Sequence, residues 1–115
     1  MIDYQVAIES GMRVAVKGIL TQVQKFGIGN SEIIIKIHPL SEPGDSWQVI
    51  LPPEASQTED FVIKLSSGSF SNIQVLDLYF TLQMSFVSDL DFTVQIPFKA
   101  ITSFMDTTQD ILIEF

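Results

Sequence analysis

The sequence contains no cysteine in its 115 residues. Disulfides and thiolate chemistry are excluded, and the absence suits a reducing cytoplasm, the expected location. It has one histidine, His38, so a metal site would lean on carboxylates alone. The acids are scattered without calcium-loop spacing, and no metal or cofactor is expected. Basic residues are few: six Lys and Arg against fourteen Asp and Glu, a net charge of −8. Such a surface repels phosphate backbones and anionic lipid, so neither nucleic acid nor a membrane is an expected partner. No apolar run approaches the ~20 residues of a spanning helix. The N-terminus carries Asp3 and Glu9 rather than a basic stretch and an apolar block, so no secretory signal is read there.

Catalytic constellations are equally scarce. No serine lies in a nucleophile-elbow motif, and only His38 could serve one as base. The glycines of FGIGN, 26–30, follow a helix rather than a strand, the wrong context for a dinucleotide fingerprint. Glu59 and Asp60 read as solvated loop charges. An enzyme is not expected, and binding is the natural remainder.

What the sequence does have is a core and a strand rhythm. Apolar residues make up 46% and there are nine Phe, enough for a single domain, 1–115, with a buried interior. Leu78, Phe80, Leu82, Met84 and Phe86 alternate with Tyr79, Thr81, Gln83 and Ser85, the two-residue period of a strand with one buried face. The pattern recurs at Phe92, Val94, Ile96 and Phe98, at Ile33, Ile35 and Ile37, at Trp47, Val49 and Leu51, and at Phe61, Ile63 and Leu65. Ile73 to Val75 and Ile111, Ile113 and Phe115 read as further strand. Residues 98–105 read as one or two helical turns.

Residues 2–26 read as a long helix. Ile8, Met12, Ala15, Val16, Ile19, Val23 and Phe26 form an apolar stripe at three- and four-residue spacing. Gly27 is its natural stop. A second stripe of small residues, Ala7, Gly11, Ala15 and Gly18, lets another backbone approach closely. It serves either a helix–helix dimer seam or close packing on the chain's own sheet. The layout predicts an α+β fold or small barrel. Its polar strand faces suit an extended peptide, laid along an edge or in a groove. Residues 66–72, SSGSFSN, read as a turn or bulge.

Several blocks resemble the alphaproteobacterial branch of the stringent starvation protein B (SspB) family. The start, MIDYQ, is similar to that branch. QKFGIGNSEIIIKI resembles its "TGLPG" turn and first strand, and DFVIKL resembles a strand of "MTIVLQ" type. Phe70-Ser71-Asn72-Ile73 and Phe80 to Phe86 stand where the family has F-W-D-L and F-x-V-x-L-S-F. IPFKAITSFMDTTQDILIEF, 96–115, is similar to V-P-F-x-A-I-x-x-F-x-D-P-S-V-x-F-x-L-x-F. The chain departs from the family at Ser71 and Asn72, at Thr107, and at 87–91 in place of "GGxP". The family's unfoldase-docking tail has no counterpart within the 115 residues.

The resemblance implies a long N-terminal helix followed by a strongly bent, Sm-like antiparallel sheet or small barrel with a short helix near the C-terminus. It implies a cytoplasmic adaptor that binds ssrA-type degradation tags and delivers tagged proteins to the ClpXP protease. The alternative is a divergent member acting as a structural or interaction partner without tag delivery. The implied partners are an unstructured peptide tag, the protease unfoldase and a second copy of the chain, docked through Ala7, Gly11, Ala15 and Gly18. By position, the peptide groove falls at Trp47, Ser66, Gly68, Phe70, Phe86 and Val87. Each of Phe70 and Phe86 taken singly also reads as plain core.

Overall fold

Among the described residues a helix, α1, runs from Tyr4 to Phe26 and is followed by seven strands. The computed structural model describes residues 4–38, 49–52, 60–86 and 91–115, and does not describe the helical side chains of 5–10 and 12. The strands are β1 (Ile33–Ile37), β2 (Phe61–Leu65), β3 (Phe70–Val75), β4 (Tyr79–Met84), β5 (Phe92–Pro97), β6 (Ile101–Asp106) and β7 (Ile111–Glu114). They form two antiparallel sheets, β2-β1-β6-β7 and β3-β4-β5, which with the helix make an α+β fold.

The helix stops where the sequence places its stop. Gly27 takes φ +80° and its N–H donates to the Val23 carbonyl at 2.9 Å, a left-handed cap that a β-carbon would strain. Val16, Leu20 and Val23 are buried, and α1 packs on β3 and on the corner after β5. Leu20, absent from the expected stripe, is fully buried, whereas Phe26, expected within it, is 82% exposed. Polar contacts fasten the same helix. Lys17 Nζ reaches Asp77 Oδ1 at 3.0 Å, and the Arg13 guanidinium lies 4.9 Å from the centre of the Phe115 ring.

The alternations behave as the strand period requires. Ile33, Ile35, Ile37, Ile63, Leu65, Phe80, Leu82, Val94 and Ile96 are all buried. Two expected elements are corrected. The helix expected over 98–105 is only a single 3-10 turn, Phe98–Ala100, followed by β6. The cause is a bulge. Ile37 pairs with Ile101 but Lys36 with Ser103, so the buried residues of this segment fall at 98, 101 and 104. That spacing imitates a helical turn. The strand expected at Trp47 to Leu51 reduces, within the described residues, to one bridge between Ile50 and Gln95.

Two tight connections carry the chain between the sheets. One is the turn 66–69, where Ser69 N donates to the Ser66 carbonyl at 3.0 Å and Gly68 takes φ +83°, the backbone of a type II turn. The other is the 98–100 corner. There Phe98 packs 5.8 Å from Phe80 between ring centres, and its N–H donates to Leu78 O at 3.1 Å.

The connection between β6 and β7 is held by Asp106, which is buried at 7% exposure. Its Oδ1 accepts the Thr108 hydroxyl at 2.6 Å and the Thr108 N–H at 3.0 Å. The hydroxyl bond is the main reason the carboxyl is held below its ordinary range; desolvation pulls the other way, and the Thr108 N–H, Ser31 and Gln109 add to the lowering.

Candidate functional site

Edge strand β3 begins directly after the turn at 66–69, and the start of that strand borders a shallow groove. Ser69 Oγ organises the turn. It accepts the Ser66 N–H at 2.9 Å and donates to the Ser66 carbonyl at 3.0 Å. Gly68 is the one position in the turn that needs a positive φ. The groove, about 120 Å3, runs past Gly68, Phe70, Ser71, Gln83, Ser85 and Asp91. Its walls are chiefly hydroxyl and amide groups, with Phe70 half-buried against the core.

A second feature shapes the same edge. Asn72 adopts φ 52°, and the β3–β4 register shifts between Ser71 and Gln74. This is a bulge, and asparagine tolerates its left-handed backbone better than most residues. The Asn72 amide donates to Gln83 Oε1 at 2.6 Å across the two strands. The bulge therefore fixes where the ladder between β3 and β4 breaks. Ser71 pairs with Gln83 before it and Gln74 with Thr81 after it.

Of the expected peptide-binding residues, Gly68 and Phe70 line this groove and Ser66 anchors its turn. Phe86 is not a lining residue. It sits in a small aromatic group, 6.1 Å from Phe61 and 6.0 Å from Phe92 between ring centres, the latter edge-on. Trp47 and Val87 lie outside the described residues. Ser69 falls within the 66–70 stretch where the groove was expected and Ser71 is one of the departures from the family, whereas the sequence reading missed Met84 and Asp91 as lining residues. Gln83 and Ser85 were visible as the polar side of the β4 alternation, but nothing in the sequence set them beside Gly68.

The small-residue stripe is also placed. Gly11, Ala15 and Gly18 are exposed, and a β-carbon built on either glycine meets no heavy atom of the described residues within 4 Å. Close packing on the chain's own sheet is thus not what these residues serve. The Ala7 side chain lies outside the description.

Among the described residues no group of three or more His, Asp or Glu assembles as a metal site. His38 Nδ1 lies 3.1 Å from Asp60 Oδ1, and Lys36 Nζ is 3.6 Å from Asp60 Oδ2. This half-exposed cluster ties the end of β1 to the start of β2. No described helix is long and apolar enough to cross a membrane. The chain matches no protein-family model and no curated protein.

Proposed function

We propose that the chain is a cytoplasmic, non-enzymatic peptide-binding adaptor of the SspB type, which holds an ssrA-type degradation tag and presents it to the unfoldase of ClpXP. The observation that carries this reading is the groove at the start of edge strand β3, between Gly68 and Asp91. An edge strand offers backbone pairing for affinity, and the adjoining Ser, Gln and Asp side chains offer selectivity. The two sheets are joined by tight corners at 66–69 and 98–100, as a strongly bent, Sm-like barrel requires.

Dimerisation belongs to the same reading. The exposed face of Gly11, Ala15 and Gly18 is suited to close helix–helix approach, and a two-fold interface brings the same patch of each copy together. Two grooves on one particle raise the local concentration of tags.

A second reading, a related fold serving another partner without tag delivery, draws on Ser71 and Asn72. The bulge at Asn72 and its bond to Gln83 occupy the positions where the resembled family carries a tryptophan and an aspartate.

Fluorescence anisotropy with a labelled ssrA-type peptide, against a scrambled control, tests the proposal. Specific binding that Ser71→Arg abolishes supports it. Equal binding of tagged and scrambled peptides, or none at hundreds of micromolar (an order-of-magnitude limit for a useful adaptor), leaves only the second reading.

A further inference from the structure

The cations of this acidic chain are unevenly placed. Arg13, Lys17 and Lys99, three of the six basic residues, border a single groove of about 410 Å3 between α1, the β3–β4 connection and the 98–100 corner. Its floor is apolar. Val14 is 68% and Leu78 47% exposed, and Phe98 lies beneath them. Among the described residues one acid, Asp77, stands on the rim.

The basic groups are held rather than loose. Arg13 lies over the Phe115 ring, and its guanidinium donates to the Lys99 carbonyl at 3.3 Å. Stacking and that bond keep the charge at the groove. Lys17 is held by Asp77 through Oδ1 at 3.0 Å and the backbone carbonyl at 3.1 Å. The Asp77 side chain is 92% exposed, and an ion pair this open is worth little net free energy. A carboxylate from another molecule can replace it at small cost.

We propose that this groove docks a short acidic peptide segment, with an apolar side chain on the Val14–Leu78 floor and carboxylates on Arg13, Lys17 and Lys99. Charge decides between occupants. The chain as a whole carries −8, so an extended polyanion such as nucleic acid or an anionic membrane meets repulsion wherever it leaves the groove. A segment with two or three carboxylates is short enough to stay beside Arg13, Lys17 and Lys99. The apolar floor favours a peptide over a small inorganic anion. This site shares no residue with the groove at Gly68 to Asp91, so it stands or falls independently of the tag-binding reading.

The test is a titration of the isotopically labelled full chain, followed by amide NMR, with the blocked peptide Gly-Asp-Leu-Asp-Phe-Gly and its Asn-for-Asp counterpart. The acidic peptide should shift resonances around Val14, Leu78 and Lys99. Lys99→Glu, on the surface, should weaken it about tenfold, and the Asn peptide should be weakened as much. Asp77→Asn removes the competing carboxylate and should tighten binding a few-fold, the opposite sign to a merely structural role. Equal affinity for the two peptides, no effect of Lys99→Glu, shifts confined to 66–71 and 83–85, or no shift at millimolar peptide would each overturn the proposal.

Discussion

The Gln24 side chain reaches from the last turns of α1 to the edge of the second sheet, where its Oε1 accepts the backbone N–H of Val75 at 2.9 Å. A helical residue here supplies the acceptor that a neighbouring strand would have given. Edge N–H groups otherwise invite pairing with another chain. The bond seals the C-terminal end of β3 and leaves pairing to the end that begins at Phe70.

Gln24→Ala should cost about 0.5–1.5 kcal/mol, the net worth of one such bond. Gln24→Glu keeps the acceptor and should recover most of it. Urea denaturation of the three proteins checks both statements, and equal stability of the Ala and Glu variants would sink the assignment.

Phe80 is fully buried and packs on Phe98 at the corner between the sheets. Phe80→Ala should destabilise by about 3–5 kcal/mol, from lost burial and the cavity left behind. Much of the stability of a domain this size would go with it. The midpoint of thermal unfolding is the measurement.

Asp106 makes the fold sensitive to acid. Its folded-state value lies below the ordinary 3.8. Its contribution is therefore fully present above about that pH and is lost as pH falls through the lowered folded value. Thr108→Val removes the largest cause of the lowering. The Asp106 carboxyl should then titrate at higher pH, and the acid limb of the stability curve should flatten below pH 4. Carboxyl-carbon NMR and urea midpoints between pH 2 and 5 give the two readings, pH values chosen to bracket the ordinary carboxylate range.

Ala15 is exposed at the centre of the small-residue face. Ala15→Glu should leave the monomer folded, since the Ala15 side chain is exposed. It should dissociate the proposed dimer, because two like charges would meet across a two-fold seam. Sedimentation velocity separates the outcomes. An unchanged sedimentation coefficient, dimeric or monomeric in both proteins, would remove this face from the dimer.

Much of the fold is legible in local pattern. The end of α1 at Gly27 and the buried faces of β1, β2, β4 and β5 follow from capping and from two-residue alternation. These are properties of neighbours in the chain. The segment after Pro97 misleads because the bulge opposite Lys36 and Ile37 inserts an extra residue into β6. The resulting three-residue spacing of buried side chains is set by a partner strand more than sixty positions away. The groove was half visible. Gly68 and Phe70 announce a turn and an anchor, but Asp91 and Gln83 reach it only through the pairing of β3 with β4 and of β4 with β5.

Sequence by itself determined that this is a cysteine-free, acidic α+β domain with one long helix and a set of half-buried strands. Composition and short-range periodicity encode burial directly. Tertiary structure alone decided that the described strands divide into sheets of four and three, that Gly11, Ala15 and Gly18 face outward, and that half of the chain's few cations gather at one apolar groove. Those facts depend on which distant segments pair and pack. That selection is made by the summed burial of the whole core, not by any one stretch of residues.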